Sequence, residues 1–145
     1  MSDAATRKMN LVIVEDDLST ARLVAKVVER GLGEWLDVHS FNDPLDAHMW
    51  IQNNVCDVLL TDIEMPQITG LELLRRAKKR NPWTQVVMMT AFSSWDVVSD
   101  SIEAGASDFL VKPLDHSLLI EVLKQEYARF LRWQQALANS TAVAQ

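Results

Sequence analysis

Residues 58–66 read VLLTDIEMP, an apolar run followed at once by acidic residues. The continuous apolar stretch Val58–Leu60 is typical of a strand that is covered on both faces, as in a parallel sheet. Leu36–Phe41 is more polar and partly alternates, which indicates an edge strand. Three more continuous runs resemble the first, at Leu11–Val14, Val86–Met89 and Phe109–Val111. The sequence therefore predicts five strands.

The segments between these strands have the periodicity and end signals of helices. We expect the first helix at Leu18–Arg30, where Gly31 ends it, and the second from an Asn42 or Asp43 cap through Pro44 to Ile51. The third is expected at Gly70–Arg80, the fourth at Ser94–Ala104 with Ser93 or Ser94 as the cap, and the fifth after Pro113. Strict alternation of strands and helices predicts an α/β fold with a doubly wound, five-stranded parallel sheet and five helices. The flavodoxin-like strand order 2-1-3-4-5 places strands one and three side by side.

The last helix is predicted to be long. From Leu114 to Leu137 it would span about 36 Å at ~1.5 Å per residue, whereas typical strands cover only ~17–20 Å. Phe130, Trp133 and Leu137 fall on a narrow arc of the projecting part. We expect residues 10–124 to form the domain and residues 125–145 to form a helical extension and tail. The extension would mediate a homodimer or lead into a partner or output domain, unless it folds back on its own domain.

Acidic residues follow two of the predicted strands. Glu15, Asp16 and Asp17 come after the first strand, and Asp62 ends the third. Carboxylates that converge at one sheet edge repel one another unless a cation lies between them, and hard oxygen ligands favour Mg²⁺, with Mn²⁺ as a substitute. We assign Glu15 and Asp16 to the site by their distance from the strand and expect Asp17 to cap the first helix.

Residues at the ends of the fourth and fifth strands complete this site. Thr90 offers a hydroxyl that can bond a phosphoryl oxygen, and Lys112 offers a positive charge. Asp62 can then act as a carboxylate nucleophile toward phosphorus. The arrangement predicts phosphoryl transfer to Asp62.

At these residues the sequence resembles the receiver domain of bacterial two-component response regulators, from about Asn10 to Leu123. The matching motifs are the acidic pair after strand one, Asp62-Ile63-Glu64-Met65-Pro66 followed by Gly70, Thr90-Ala91, and Phe109-Leu110-Val111-Lys112-Pro113. The resemblance implies that Asp62 is the phosphoacceptor and that Thr90 and Lys112 assist it. It implies a magnesium site made of Asp16 and Asp62 carboxylates, Glu15 through water, and the backbone carbonyl of Glu64. It also implies a cis peptide before Pro113.

The same resemblance implies a switch and a partner. Thr90 would move to the phosphoryl group and Phe109 would turn inward, which changes the surface of the fourth helix, fifth strand and fifth helix. A histidine kinase or phosphotransfer protein would donate the phosphoryl group. The chain would be no enzyme, apart from its own magnesium-dependent autophosphorylation and autodephosphorylation.

Two other functions compete with this interpretation. A haloacid-dehalogenase-type phosphatase also uses an aspartyl nucleophile, but it usually carries a second Asp where this chain has Glu64, and it needs cap insertions. A flavodoxin-like redox protein would need a Ser/Thr-Gly-rich phosphate loop after the first strand, which the sequence lacks.

Composition limits the remaining possibilities. The formal net charge of −6 argues against direct binding to nucleic acid. One cysteine, no apolar run near ~20 residues and a polar N-terminus favour a cytoplasmic protein without a membrane span. No output module fits after Lys124, so we expect either action through protein contacts alone or a longer regulator of which this chain is the front part.

Overall fold

The computed structural model describes residues 7–144, so residues 1–6 and Gln145 lie outside the description. The elements in chain order are β1 (Met9–Val14), α1 (Leu18–Leu32), β2 (Leu36–Phe41), α2 (Pro44–Asn53), β3 (Val58–Asp62), α3 (Gly70–Arg80), β4 (Gln85–Thr90), α4 (Trp95–Ala104), β5 (Asp108–Val111) and α5 (His116–Ala144). The strands form one parallel sheet in the order β2-β1-β3-β4-β5. The predicted fold class and strand order are confirmed.

An apolar core lies on each face of the sheet. In β1, Leu11 and Ile13 belong to the core that α1 and α5 cover, whereas Val12 and Val14 belong to the core that α2 and α3 cover. All four side chains are fully buried. Burial on both faces explains why the central strands are continuously apolar.

Side-chain caps begin three of the helices as the sequence indicates. Asp17 caps α1 and accepts a hydrogen bond from the Ser19 N–H at 3.3 Å. Of the two candidates for α2, Asp43 is the cap, and for α4 it is Ser94. Each side-chain oxygen satisfies an N–H that has no partner within the helix.

The prediction that α1 stops at Gly31 is wrong, because the helix continues through Gly31 to Leu32. Leu32 is buried in the core and holds the last turn against the sheet. Ile120 of α5 lies over Gly31, and a Cβ built on this glycine would be 2.9 Å from Ile120 Cδ1. Gly31 therefore marks a close approach of two helices rather than a helix end.

The last helix is longer than predicted. α5 has 29 residues and continues past Leu137 to Ala144. It begins after Asp115, whose carboxylate accepts hydrogen bonds from the N–H groups of Ser117 and Leu118. Residues 138–144 contain no glycine or proline that would end a helix. Within residues 7–144, no helix has the length and apolar character that crossing a membrane requires.

The predicted projecting face of α5 divides into two parts. Phe130 is only 8% exposed and belongs to the core under α1 and α5, so the prediction that it projects is wrong. It packs beside Tyr127 and under the guanidinium of Arg7, which lies 5.0 Å from the ring centroid. Trp133 and Leu137, one and two turns further on, are 56% and 61% exposed. The domain therefore covers this face of α5 as far as Phe130.

Candidate functional site

The candidate site lies where β1 and β3 end. The two strands pair in parallel with Val14 opposite Thr61, so the next residues, Glu15 and Asp62, lie side by side at the carboxyl edge of the sheet. Glu15 is 1% exposed and Asp62 is 6% exposed, whereas Asp16 is exposed. The fold thus holds two carboxylates in a poorly hydrated place and leaves a third at the surface.

These three acids can share a cation. Glu15, Asp16 and Asp62 each offer one carboxylate oxygen, and the three oxygens lie within 4.8 Å of one another. The structure therefore brings together the carboxylates that were assigned to the metal site from the sequence. Asp17 turns away from this group to cap α1.

Lys112 follows β5 and reaches the same acids. Its Nζ donates a hydrogen bond to Asp62 Oδ2 at 2.8 Å and also forms an ion pair with Glu15. Burial alone lowers the pKa of Lys112, but the hydrogen bonds and charges of Asp62 and Glu15 outweigh burial and raise it. The Lys112–Pro113 peptide is cis, as predicted, and the Lys112 N–H donates to the Thr90 carbonyl at 2.8 Å. The ammonium is therefore charged and directed at Asp62.

One lysine does not neutralise two buried carboxylates. Burial raises the pKa of Glu15 to about 7, an effect that the Lys112 hydrogen bond opposes and the neighbouring Asp62 reinforces. A carboxyl whose ionised form is disfavoured in this way gains from a further positive charge nearby. The charge balance of the site thus agrees with a hard cation held by oxygen ligands.

Thr90, the last residue of β4, is fully buried beside this group. Its hydroxyl donates to Glu64 Oε1 at 2.7 Å and accepts from the Phe92 N–H at 3.0 Å. Glu64 itself is exposed, and so is Phe92. The buried hydroxyl is thus bonded to the loop after β3 and to its own loop.

The loop between β3 and α3 is folded tightly against the strand end. The Ile63 N–H donates to Asp62 Oδ1 at 2.8 Å, and the Gly70 N–H donates to the Ile63 carbonyl at 2.8 Å. A Cβ built on Gly70 would lie 2.0 Å from the Asp62 carbonyl oxygen, so no larger residue fits without a backbone shift. Gly70 therefore allows the loop to hold Asp62 in place.

Phe109 lies in β5, opposite Met88 of β4. Its ring is half-buried and packs against the core under α2 and α3. Phe109 is thus separate from the acidic group and lies beside the strand that carries Thr90.

Two contacts of the site were not predicted. The sequence interpretation did not predict that the Thr90 hydroxyl donates to the carboxylate of Glu64. The role of Gly70 in closing the loop was likewise missed, although its distance of eight residues from Asp62, before a helical pattern, is the signal that points to it.

Comparison with known proteins supports the resemblance seen in the sequence. Residues 11–124 match the family model described as response regulator receiver domain. The transcriptional regulatory protein ZraR of Klebsiella oxytoca is 33% identical over 138 residues, which are 95% of this chain and 30% of that protein. The cyclic di-GMP phosphodiesterase response regulator RpfG of Xanthomonas campestris is 35% identical over 115 residues, 78% of this chain and 30% of that protein. The chain thus spans about 30% of the length of these curated relatives.

Solved structures have a similar fold over most of the chain. The CheY-like receiver domain protein of Methanospirillum hungatei JF-1 has a TM-score of 0.77 at 25% identity, covering 90% of this chain and 98% of that one. The N-terminal domain of an uncharacterized protein of Wolinella succinogenes has a TM-score of 0.77 at 29% identity, covering 86% and 98%.

Proposed function

The chain belongs to the response regulator receiver family, and on this premise we propose that Asp62 accepts a phosphoryl group from a histidine kinase or phosphotransfer protein. The observation that carries the proposal is the geometry of Asp62, whose Oδ2 lies 2.8 Å from Lys112 Nζ beside the carboxylates of Glu15 and Asp16. In the transfer, an Asp62 carboxylate oxygen forms a bond to phosphorus while the bond between phosphorus and the donor's histidine nitrogen breaks. The products are an acyl phosphate on Asp62 and a free imidazole on the donor.

Each neighbouring side chain has a separate part in this step. Lys112 offsets negative charge on the transferring group, and Thr90 donates a hydrogen bond to a phosphoryl oxygen. The carboxylates of Asp16 and Asp62, Glu15 through water, and the Glu64 backbone carbonyl would hold Mg²⁺ or Mn²⁺. The ion would supply charge neutralisation for the phosphoryl oxygens.

Phosphorylation would act by biasing an element that has two arrangements. We propose that Thr90 and Phe109 move together and that the surface of α4, β5 and α5 then binds a partner or a second copy. The proposal is supported by the positions of the two residues on the paired strands β4 and β5, where the Thr90 hydroxyl is buried and the Phe109 ring is half-buried.

The output that follows belongs to the whole regulator. ZraR is named a transcriptional regulatory protein and RpfG a cyclic di-GMP phosphodiesterase response regulator, so similar receiver segments occur with different outputs. We propose that the extension predicted at residues 125–145, of which residues 125–144 belong to α5, transmits the signal either to a second copy or to an output domain.

The experiment that tests the phosphoacceptor is intact mass spectrometry after incubation with Mg²⁺ and acetyl phosphate. Wild type should gain one phosphoryl group that hydroxylamine removes, whereas Asp62→Asn should gain none. Asp16→Asn and an EDTA-treated sample test the metal and should both react more slowly. An unmodified wild-type protein with an intact fold would contradict the proposal.

A further inference from the structure

The hydroxyl of Thr90 has no free hydrogen in this structure. A threonine hydroxyl has one proton to donate, and Thr90 donates it to Glu64 Oε1 at 2.7 Å. The same oxygen of Thr90 accepts the Phe92 N–H at 3.0 Å. Thr90 is fully buried, whereas Glu64 is exposed.

A phosphoryl group on Asp62 would need the hydroxyl proton that Thr90 donates to Glu64. Thr90 can donate to a phosphoryl oxygen only after its bond to the Glu64 carboxylate breaks. Glu64 and the phosphoryl group are both anions, so they compete for one donor and also repel each other. The unphosphorylated arrangement is stabilised by a hydrogen bond that the phosphorylated arrangement must lose.

We propose that Glu64 is a positioning residue whose carboxylate holds Thr90 in the unphosphorylated arrangement and thereby opposes the switch. The inference rests on the proposed function of Asp62 and Thr90. It adds a regulator to that site, namely an acidic side chain two residues after the phosphoacceptor that sets how easily the hydroxyl is released.

The surroundings of Glu64 suit a bond that can be broken. Its side chain is exposed and makes no second hydrogen bond or ion pair with any residue of 7–144. Once Thr90 leaves, the Glu64 carboxylate can turn to water at little cost, since an exposed ion remains hydrated. The exposure of Glu64 also means that replacing it removes no core contact.

The test measures binding of beryllofluoride, an analogue of the acyl phosphate, in the presence of Mg²⁺ by isothermal titration. Glu64→Ala should bind roughly fivefold more tightly than wild type, the factor that corresponds to one net hydrogen bond. Glu64→Gln keeps an acceptor oxygen without the charge and should lie between the two. In a Thr90→Val background, Glu64→Ala should change the affinity less than about twofold, because the partner hydroxyl is gone.

A second measurement examines the hydroxyl itself in the metal-free protein. The amide resonance of Phe92, whose N–H donates to Thr90 Oγ1, should shift in Glu64→Ala. An unchanged resonance would overturn the proposal. Thr90→Ser, which keeps the hydroxyl, checks that the Thr90→Val result does not come from a disturbed core.

The outcomes separate this proposal from the proposed function. If no variant binds beryllofluoride, wild type included, the function of Asp62 is overturned and the role of Glu64 falls with it. If wild type binds and Glu64→Ala gains nothing, only the role of Glu64 is overturned. Glu64→Ala could also increase the affinity for beryllofluoride equally in the wild-type and Thr90→Val backgrounds. The Glu64 carboxylate would then act only by charge repulsion and not by holding the Thr90 hydroxyl, which would also overturn the role of Glu64.

Discussion

At Lys112, one ammonium group balances two buried carboxylates, those of Glu15 and Asp62. Lys112→Met keeps the length of the side chain but leaves both acids without their cation. We expect a loss of roughly 2–3 kcal/mol in the free energy of unfolding without metal, at the lower end for buried pairs because Lys112 is 20% exposed. Urea unfolding in EDTA measures this loss.

Added Mg²⁺ should restore part of the stability that Lys112→Met loses, since the ion supplies positive charge to the same carboxylates. Lys124→Met is the matched control, because Lys124 is an exposed lysine on α5, and it should change stability little in either condition. If Mg²⁺ stabilises wild type and Lys112→Met equally, the lysine and the metal do not share these acids.

Single residues differ in how well their place in the site could be predicted. Asp62 and Lys112 follow apolar runs, so the parallel fold alone brings them to one edge of the sheet. The Glu64 carboxylate lies on an exposed loop, where the direction of the side chain depends on local geometry that no periodicity records. The hydrogen-bond acceptor of the Thr90 hydroxyl could therefore be identified only from the structure.

At the scale of elements, α1 and α5 meet where Gly31 faces Ile120. Gly31→Ala gains helix propensity, about 1 kcal/mol, but its methyl group would be 2.9 Å from Ile120 Cδ1, so that side chain must rotate. We expect Gly31→Ala to change the free energy of unfolding by less than about 0.5 kcal/mol in the wild-type background, because strain offsets the gain.

Ile120→Val removes the Cδ1 atom and isolates the two effects. In that background Gly31→Ala should stabilise by nearly the full ~1 kcal/mol, as chemical denaturation of the four proteins would measure. Equal effects of Gly31→Ala in both backgrounds would mean that Ile120 does not restrict this position.

Helix starts could be predicted more reliably than this helix end. Asp17, Asp43 and Ser94 cap helices through bonds between near neighbours in sequence. From its sequence neighbours alone, Gly31 looks like the end of a helix. It lies inside α1 instead, where Ile120, 89 residues further along the chain, packs over it. Capping residues can be recognised in the sequence because their partners are near neighbours. A glycine that allows a tertiary contact, however, looks the same in the sequence as a glycine that ends a helix.

At the scale of the whole molecule, Arg7 connects three parts of the fold at the edge of the sheet opposite the acidic site. Its guanidinium bonds both oxygens of Asp57, at 2.6 and 2.8 Å, and lies 5.0 Å from the centroid of the Phe130 ring. Asp57 is only 5% exposed and also accepts the Asn10 N–H. The segment before β1, the start of β3 and the middle of α5 thus share one contact.

Arg7→Met should lower the free energy of unfolding by roughly 1–2 kcal/mol, because it leaves the buried Asp57 carboxylate without its charged donor. Amide hydrogen exchange around Phe130 should also become faster, since α5 loses a contact with the sheet. Urea unfolding and exchange mass spectrometry measure the two effects. Arg22→Met, at an exposed arginine of α1, is the control, and an equal loss there would contradict the role of Arg7.

Beyond Phe130 the helix α5 presents apolar surface that its own domain leaves uncovered. Trp133 is 56% exposed and lines an open groove of about 560 Å³ together with Trp83, which is 61% exposed. Exposed apolar patches of this kind favour contact between proteins. Among the partners proposed for the extension, a second copy of the chain is the one that the purified protein can test directly.

We expect the chain to self-associate through this part of α5, so its sedimentation coefficient should rise with protein concentration. Trp133→Glu should hold the protein as a monomer at every concentration, because a carboxylate in the apolar contact would have to be desolvated. Leu23→Glu is the matched control, since Leu23 is also an exposed apolar residue, 51% exposed, but lies on α1, outside the surface of α4, β5 and α5. If wild type sediments as a monomer throughout, or if Leu23→Glu acts as strongly as Trp133→Glu, the exposed end of α5 is not a dimer contact, and the proposals of a partner or an output domain are the ones to test next.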